Sequence, residues 1–484
     1  MAENDEIQFH ELPNMLGDEL ADDDQILVHD SSDTVSSLYG GEKRMSVAEY
    51  RASQILAPIA AAVQAANEQT TRLNRSFSVR PYNGESLRAD FEAQAYGLGD
   101  TTGISRAVGE GEMFTVQRAT PKHVFQPVAG GAIQLVEVPP DTLAHEWDPV
   151  TGEYLGVLIE ESRTNLEPDS SDFTAWTSTN GYLTDTGATA LGGLSVYRAS
   201  HDGNGSSVTA RTPLRYSQPR ETAIAVSGFV KNEAATQIKL HLGDNGISGY
   251  ARVVIDTATG AVILDEHSNW AGAGSVGAKY VGDGWYRIWV VSTVPAAGSA
   301  TQEIMVIGDG DLLFTGIQKE EGTFPTSYIP TAGSAVTRAA DDVSHSAGEE
   351  YAPTGSTWVV ELDDAKGESP FIISTDNEEF SPLYISSGGN FAVDLRGVGH
   401  IILSTSISRL GKRKVAVSLG VNEVLIAADG ASESIASGLS LEYPANDMLL
   451  GSRANGTRHM NGHIKRFEYI PESRTAAQLE EMTA

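Results

Sequence analysis

The chain of 484 residues contains no cysteine, which removes disulfides, thiolate nucleophiles and cysteine-bound zinc together. Stability has to come from burial and association. Basic residues are scarce as well: 33 Lys and Arg stand against 65 Asp and Glu, a formal charge of -32. A polyanion would be repelled unless cations were locally concentrated. The densest run, Lys412-Arg413-Lys414, lies between strand-like apolar stretches and reads as a solvated turn. Nucleic acid is not expected as a partner. No apolar run approaches the ~18 residues that a membrane span requires. The opening MAENDEIQFHELPN also lacks the cationic and apolar regions of a signal peptide. We therefore expect neither membrane insertion nor secretory export, and synthesis in a cytoplasm.

With 40% hydrophobic and 20% charged residues, the chain has ample material for folded cores, in roughly three domains at ~150 residues each. Residues 1–42 hold twelve acidic residues and no Lys or Arg. Short apolar clusters there, including Ile26, Leu27 and Val28, alternate with Asp/Ser turns and predict a few strands. So small a unit cannot bury a core alone and should dock on a partner or on its own copies. Ser46 and Glu49 then fit a capping box at a helix start, and Pro58 should kink or restart that helix. Downstream, Ile55, Ile59, Ala62, Ala66, Gln69 and Leu73 follow a/d spacing, which predicts a short coiled coil; a lone amphipathic helix on its own domain is the alternative.

Beyond Phe77 strand signals dominate. Gln237 to Leu242 alternates with period two, placing Ile238, Leu240 and Leu242 on one face. In Trp285 to Val290 both faces are apolar, as in a strand between two packed layers. Turns such as Asp283-Gly284 and Asp429-Gly430 recur among 49 glycines, so the fold class is mainly β, of sandwich type. Further strands are expected at Trp358–Leu362, Phe371–Ile373, Phe391–Leu395, Val415–Val417, Val424–Ile426 and Ile464–Ile470, with a helix only in the last dozen residues. The expected domains are an attachment unit at 1–45, an oligomerising helix at 46–76, a β-rich connecting region at 77–165, and sandwiches at 166–340 and 341–484.

Catalytic patterns are weak. Glu361-Leu362-Asp363-Asp364 approaches the strand motif of concanavalin-type glucanases but lacks its final Glu, and acidic residues are abundant enough to pair at almost any spacing. Gly246-Ile247-Ser248-Gly249 falls short of a nucleophile elbow and is expected to be a hairpin turn. His459 and His463 have the spacing of zinc ligands, yet the intervening Asn461-Gly462 favours a turn. The metal question stays open at this level. No cofactor is expected, apart from structural calcium at a loop such as Asp202-Gly203-Asn204-Gly205. Glycan binding rests on aromatic faces beside amides and carboxylates. The candidates are Trp270, in an exposed-looking polar loop, with Tyr250 and Trp176; Trp285, Trp289 and Trp358 read as core or interface residues.

Several stretches resemble a recurrent pattern of bacteriophage tail-fibre, tailspike and minor structural proteins. They are Asp148 to Leu166, Ser171-Asp172-Phe173-Thr174-Ala175-Trp176, Ser227 to Lys231, Asp283 to Arg287, Gln318 to Pro330 and Thr337 to Asp341, in that order. The resemblance implies a carbohydrate-binding-module-like jelly roll at 166–340 and a concanavalin- or laminin-G-like, lectin-like domain after it. Asp22 to Asp30 with Lys43 to Glu49 resembles the particle-attachment end of such fibres. It further implies a homotrimer in the virion whose N-terminus docks on a tail, neck or portal component and whose sandwiches meet a host cell-surface glycan. The expected role is structural and adhesive, not enzymatic. A polysaccharide depolymerase and a passive spacer or decoration protein are the alternatives.

Overall fold

The computed structural model describes residues 25–29, 42–46 and 84–484, apart from 213–215, 218–220, 244–249, 269–274, 294–300, 353, 377–379, 396–398, 403–409, 421–422, 437–444 and 454. Two units are distinct, Met1–Pro81 and Tyr82–Ala484. In the first, Gln25–His29 pairs antiparallel with Glu42–Ser46, so Ile26, Leu27 and Val28 lie in a strand opposite Met45, Arg44 and Lys43. The heptad positions Ile55, Ile59, Ala62, Ala66 and Leu73 lie outside the described residues.

The second unit is built of two β-sandwiches, and its described residues hold helix only at Glu110–Met113 and Ala476–Thr483. One sandwich is formed within residues 166–335. Its seven-stranded sheet runs Thr177–Thr179, Val208–Arg211, Thr301–Gly308, Gln237–Gly243, Tyr250–Asp256, Val262–Ser268, with Tyr216–Ser217 added to Thr301–Gly308. The facing six-stranded sheet runs Gly181–Ala190, Leu194–His201, Leu312–Glu321, Ala223–Asn232, Trp285–Thr293, Val276–Gly282. Period two decides what fills the space between them. Ile238, Leu240 and Leu242 meet Ile224, Val226, Ile288 and Val290 in one apolar cluster, as the alternation requires. The turn before Trp285 is a two-residue hairpin with Asp283 at φ 50 and Gly284 at φ 80. Positive φ at both positions matches the twist of the flanking strands.

The other sandwich is discontinuous in sequence. Its ten-stranded sheet places Leu87–Asp90 and Tyr154–Ile159 along the same Gly462–Ile470 strand that pairs with Ser356–Asp363. The facing sheet ends on Thr115–Gln117, which pairs with Asp342–Ser346. The region 77–165 is therefore no separate connector: its strands Leu87–Asp90, Ala95–Asp100, Gly103–Val108, Thr115–Gln117, His145–Trp147 and Tyr154–Ile159 join the sheets of the C-terminal sandwich, Lys122–Pro127 and Ile133–Val138 pair apart as a hairpin, and the 166–335 sandwich is an insertion. Chain enters and leaves the insert through adjacent strands, Arg163–Asn165 antiparallel to Val336–Arg338. Every strand expected after residue 345 is present. Lys412-Arg413-Lys414, expected as a turn, instead opens the strand Lys412–Leu419. The last helix carries a complete capping box between Thr475 and Gln478.

Candidate functional site

The joint between the sandwiches has an apolar half and an ionic half. A hairpin, Lys122–Pro127 with Ile133–Val138, lies across the outer side of the six-stranded sheet, where Phe125 and Leu135 pack with Val196, Phe229 and Trp285. Beside it, Arg118, Lys122, Glu160, Arg338 and Asp341 are all at most 5% exposed. Lys122 Nζ lies 2.6 Å from Asp341 Oδ2 and 3.1 Å from Glu160 Oε2. Arg118 Nη1 donates to Asp341 Oδ1 at 2.7 Å, and Arg338 Nη1 pairs with Glu160 Oε2. Glu160 reaches into the inserted sandwich by accepting the Ser327 backbone N–H at 2.8 Å and its hydroxyl at 2.7 Å.

Burial alone would raise the Glu160 carboxyl. The Arg338 and Lys122 charges and the Ser327 hydrogen bonds outweigh burial and hold it far below the usual carboxylate range. Asp341 is likewise lowered against burial by Lys122, Arg338 and Arg118. On the inserted side, burial lowers Arg287 against the opposing pull of Glu320, Glu160 and Glu146. Arg287 donates to the Thr326 carbonyl at 2.5 Å. The stretches 148–166, 318–330 and 337–341, far apart in sequence, thus converge on one buried joint.

The candidate ligand face lies elsewhere, on the outer side of the seven-stranded sheet. Ala251, Val253 and Ile255 point into the core, so Tyr250 and Arg252 point out. Tyr250 is half-buried, and its ring stacks on the His241 imidazole at 5.1 Å and 28°. The Arg252 guanidinium lies 4.9 Å from the Tyr250 ring centroid. Register brings these groups together, because Gly243 pairs with Tyr250 and His241 with Arg252. On the next strand Met305 pairs with both His241 and Arg211, and Arg211 Nη1 is 4.0 Å from Glu303. The result is a half-buried aromatic ring that rests on a buried imidazole and has a guanidinium beside it, an arrangement able to stack on a sugar ring and hydrogen-bond a hydroxyl. Sequence reading singled out Tyr250 but not His241 or Arg252; the signal was the alternation in both strands, usable only once their register is known.

The remaining expected site residues divide. Trp176 is 7% exposed and packs on Phe173 at 4.9 Å and Phe314 at 5.9 Å. It is a core residue, because it is buried with Phe173 and Phe314 in the apolar cluster that fills the sandwich. Trp270 lies outside the described residues, two positions beyond Ser268, which pairs with Tyr250. Trp285 and Trp358 are buried as expected, whereas Trp289 is half-exposed.

Glu361 lies 3.8 Å from Arg466, and Asp364 accepts the Gly411 N–H at 2.7 Å, so these carboxylates are committed to structure. His459 faces Asp342 at 3.3 Å and His463 faces Glu146 at 2.7 Å, two separate partners. Asp202 accepts the Asn204 N–H at 2.8 Å, which closes its turn. Among the described residues no group of three His, Asp or Glu is placed to hold a metal ion, and no helix is long and apolar enough to cross a membrane.

No protein-family model matches the chain, and no curated protein sequence matches it. Solved structures do. A heptameric SAP-like pentraxin from Limulus polyphemus is 16% identical, with a TM-score of 0.22 over 26% of this chain and 67% of the pentraxin. Domains LG4-5 of the mouse laminin alpha1 chain are 9% identical, with a TM-score of 0.21 over 66% of this chain and 93% of theirs. Trypanosoma rangeli sialidase in complex with sialic acid is 9% identical, with a TM-score of 0.24 over 75% of this chain and 76% of the sialidase. None of these likenesses assigns a ligand or an activity to this chain.

Proposed function

We propose that the chain is an adhesive subunit of a bacteriophage particle, of tail-fibre or tailspike type, that binds a host-surface glycan through its inserted sandwich without cleaving it. The observation that carries the glycan reading is Tyr250, stacked on His241 and beside the Arg252 guanidinium on the outer side of the seven-stranded sheet. Two sequence features support the particle reading: the ordered blocks from 148 to 341, and an N-terminal segment with twelve carboxylates and no Lys or Arg. Self-association would multiply weak contacts into avidity, with the heptad-like residues 55–73 as its seat.

Binding of the full chain to a glycan array and to intact bacteria tests this reading. Tyr250→Ala should lower glycan retention at least tenfold while leaving thermal unfolding nearly unchanged. Retention unaffected by that substitution would remove Tyr250 from the site. Release of reducing ends from a bound polysaccharide would replace adhesion by depolymerisation, and no retention on any array or cell would leave a spacer. Purified particles labelled through residues 1–42 would report where the chain is attached.

A further inference from the structure

The six-stranded sheet of the inserted sandwich carries a second aromatic platform, which the Tyr250 face does not include. Along Trp285–Thr293, the side chains of Ile288 and Val290 enter the core, so Trp289 points outward. It escapes the joint as well: Trp285 and Phe229 pack beneath the hairpin, while Trp289 belongs to none of the apolar clusters of the described residues and stays partly exposed. Among the described residues its indole makes no ring contact and no hydrogen bond. A large amphipathic side chain left in this state on a rigid strand is unusual, since a buried indole finds a partner for its N–H and a core indole packs on its neighbours.

The strand beside it explains the geometry. Gly277 pairs with Trp289, and a Cβ built on Gly277 would fall 2.1 Å from the indole Cζ2 and 2.6 Å from Cε2 and Cη2. The ring therefore lies across the glycine, and the side chain keeps part of its surface in solvent. Val276–Gly282 is the edge strand of its sheet, and its outward positions offer exposed Ser275, bare Gly277 and then Lys279. Among the described residues of that strand, no bulky outward group stands against the ring. Lys279 Nζ lies 3.2 Å from Asp148 Oδ2, placing a donor and an acceptor two residues along the same face.

From this we infer that Trp289, on its Gly277 shelf, is a second carbohydrate subsite that takes the C–H face of a neutral hexopyranose, with Lys279 and Asp148 facing its hydroxyls. The inference rests on the glycan-binding reading above and names a further contact on the opposite side of the same sandwich. A flat apolar ring bordered by a few polar groups is the arrangement that sugar stacking requires.

The chain has six tryptophans, so 19F NMR of the full-length protein labelled with 5-fluorotryptophan tests the inference directly. The Trp289 resonance is identified by its loss in Trp289→Phe. Titration with methyl β-galactoside, methyl β-glucoside and methyl N-acetyl-β-glucosaminide at millimolar concentration should move that resonance with at least one sugar. Trp289→Ala should weaken binding of that sugar at least tenfold, measured by calorimetry. Gly277→Ala, which keeps the indole but drives it off its shelf, should weaken it severalfold, while Tyr250→Ala leaves the Trp289 shift intact.

A Trp289 resonance that no sugar moves, or binding unchanged in both Trp289→Ala and Gly277→Ala, overturns the inference. So does a Trp289→Ala variant whose only change is weaker self-association in sedimentation, which would make the shelf a contact between copies. Array binding that depends on Tyr250 and not on Trp289 sinks the second subsite alone; absence of all glycan binding sinks the adhesive reading with it.

Discussion

Inside the inserted sandwich the sheets meet through Ile224, Val226, Ile238, Leu240, Ile288 and Val290, without a salt bridge among them. Where that sandwich meets its host, Arg118, Lys122, Glu160, Arg338 and Asp341 are just as deeply buried, but they are charged. Apolar packing is non-directional and grows with area. A buried ion network costs desolvation and repays it only when every partner is in place. The contrast assigns different work to the two regions: the core supplies stability, and the joint fixes one orientation of the sandwiches. A rotated or slipped insert would bury most of the same apolar area, yet it would strip Glu160 of both hydrogen bonds from Ser327.

Removing one member of the network should show the largest effect. Glu160→Ala takes the paired carboxylate from Arg338 in the interior and leaves Lys122 with Asp341 alone, so a loss of about 3–5 kcal/mol is expected in denaturant unfolding. Replacement of the single cooperative transition by two would show that the sandwiches had come uncoupled; an effect under ~1 kcal/mol would mean the joint does not depend on charge.

On the apolar side, Trp176→Ala should cost about 3–5 kcal/mol, as expected of a buried aromatic residue, with glycan affinity per folded molecule unchanged. A stable variant that has lost binding would return Trp176 to the ligand face.

The two regions should also respond oppositely to pH. In the joint, Glu160, Asp341 and Glu146 have folded values below their ordinary ones of 4.5, 3.8 and 4.5. Their contribution is therefore fully present above about pH 4.5 and is lost as the pH falls through the lower folded values. Lys319, buried in the inserted sandwich, runs the other way. Burial brings it down from 10.5 to about 7, against the pull of Glu167 and Glu321. The folded state disfavours its proton, so the penalty is full below pH 7, fades as the pH rises towards 10.5, and is gone above. Lys319→Met should therefore stabilise the protein most at or below neutral pH, with the advantage shrinking by pH 10. An advantage that does not change with pH would show that the lysine stays charged throughout.

How legible this was in the sequence differs by element. The core alternation in Gln237–Gly243 and the turn at Asp283-Gly284 are local signals, and both appear as read. The insertion was invisible, because the pairing of Tyr154–Ile159 with Gly462–Ile470 spans some three hundred residues and leaves no periodic trace. The ordered blocks were visible as a pattern but silent on meaning. In space, Glu160, Ser327, Arg338 and Asp341 show that several of them specify the joint, whereas His241, Arg252 and the Gly277 shelf lie outside every block. Trp176, expected on the ligand face, is buried instead: composition marks a tryptophan as large and amphipathic, and only its neighbours in space decide which way it faces.

The smallest effect expected sharpens the contrast within the joint itself. Lys279 and Asp148 also link the insert to its host, but their side chains are 49% and 19% exposed. Water already solvates the Lys279 ammonium, so little desolvation is reversed when the pair is broken, and salt screens what attraction remains. Lys279→Ala should change stability by no more than about 1 kcal/mol, and that small effect should vanish at molar salt, whereas the Glu160→Ala deficit should persist there. If both deficits disappeared together in salt, the buried network would be reached by water and ions, and its power to fix the orientation of the sandwiches would be gone.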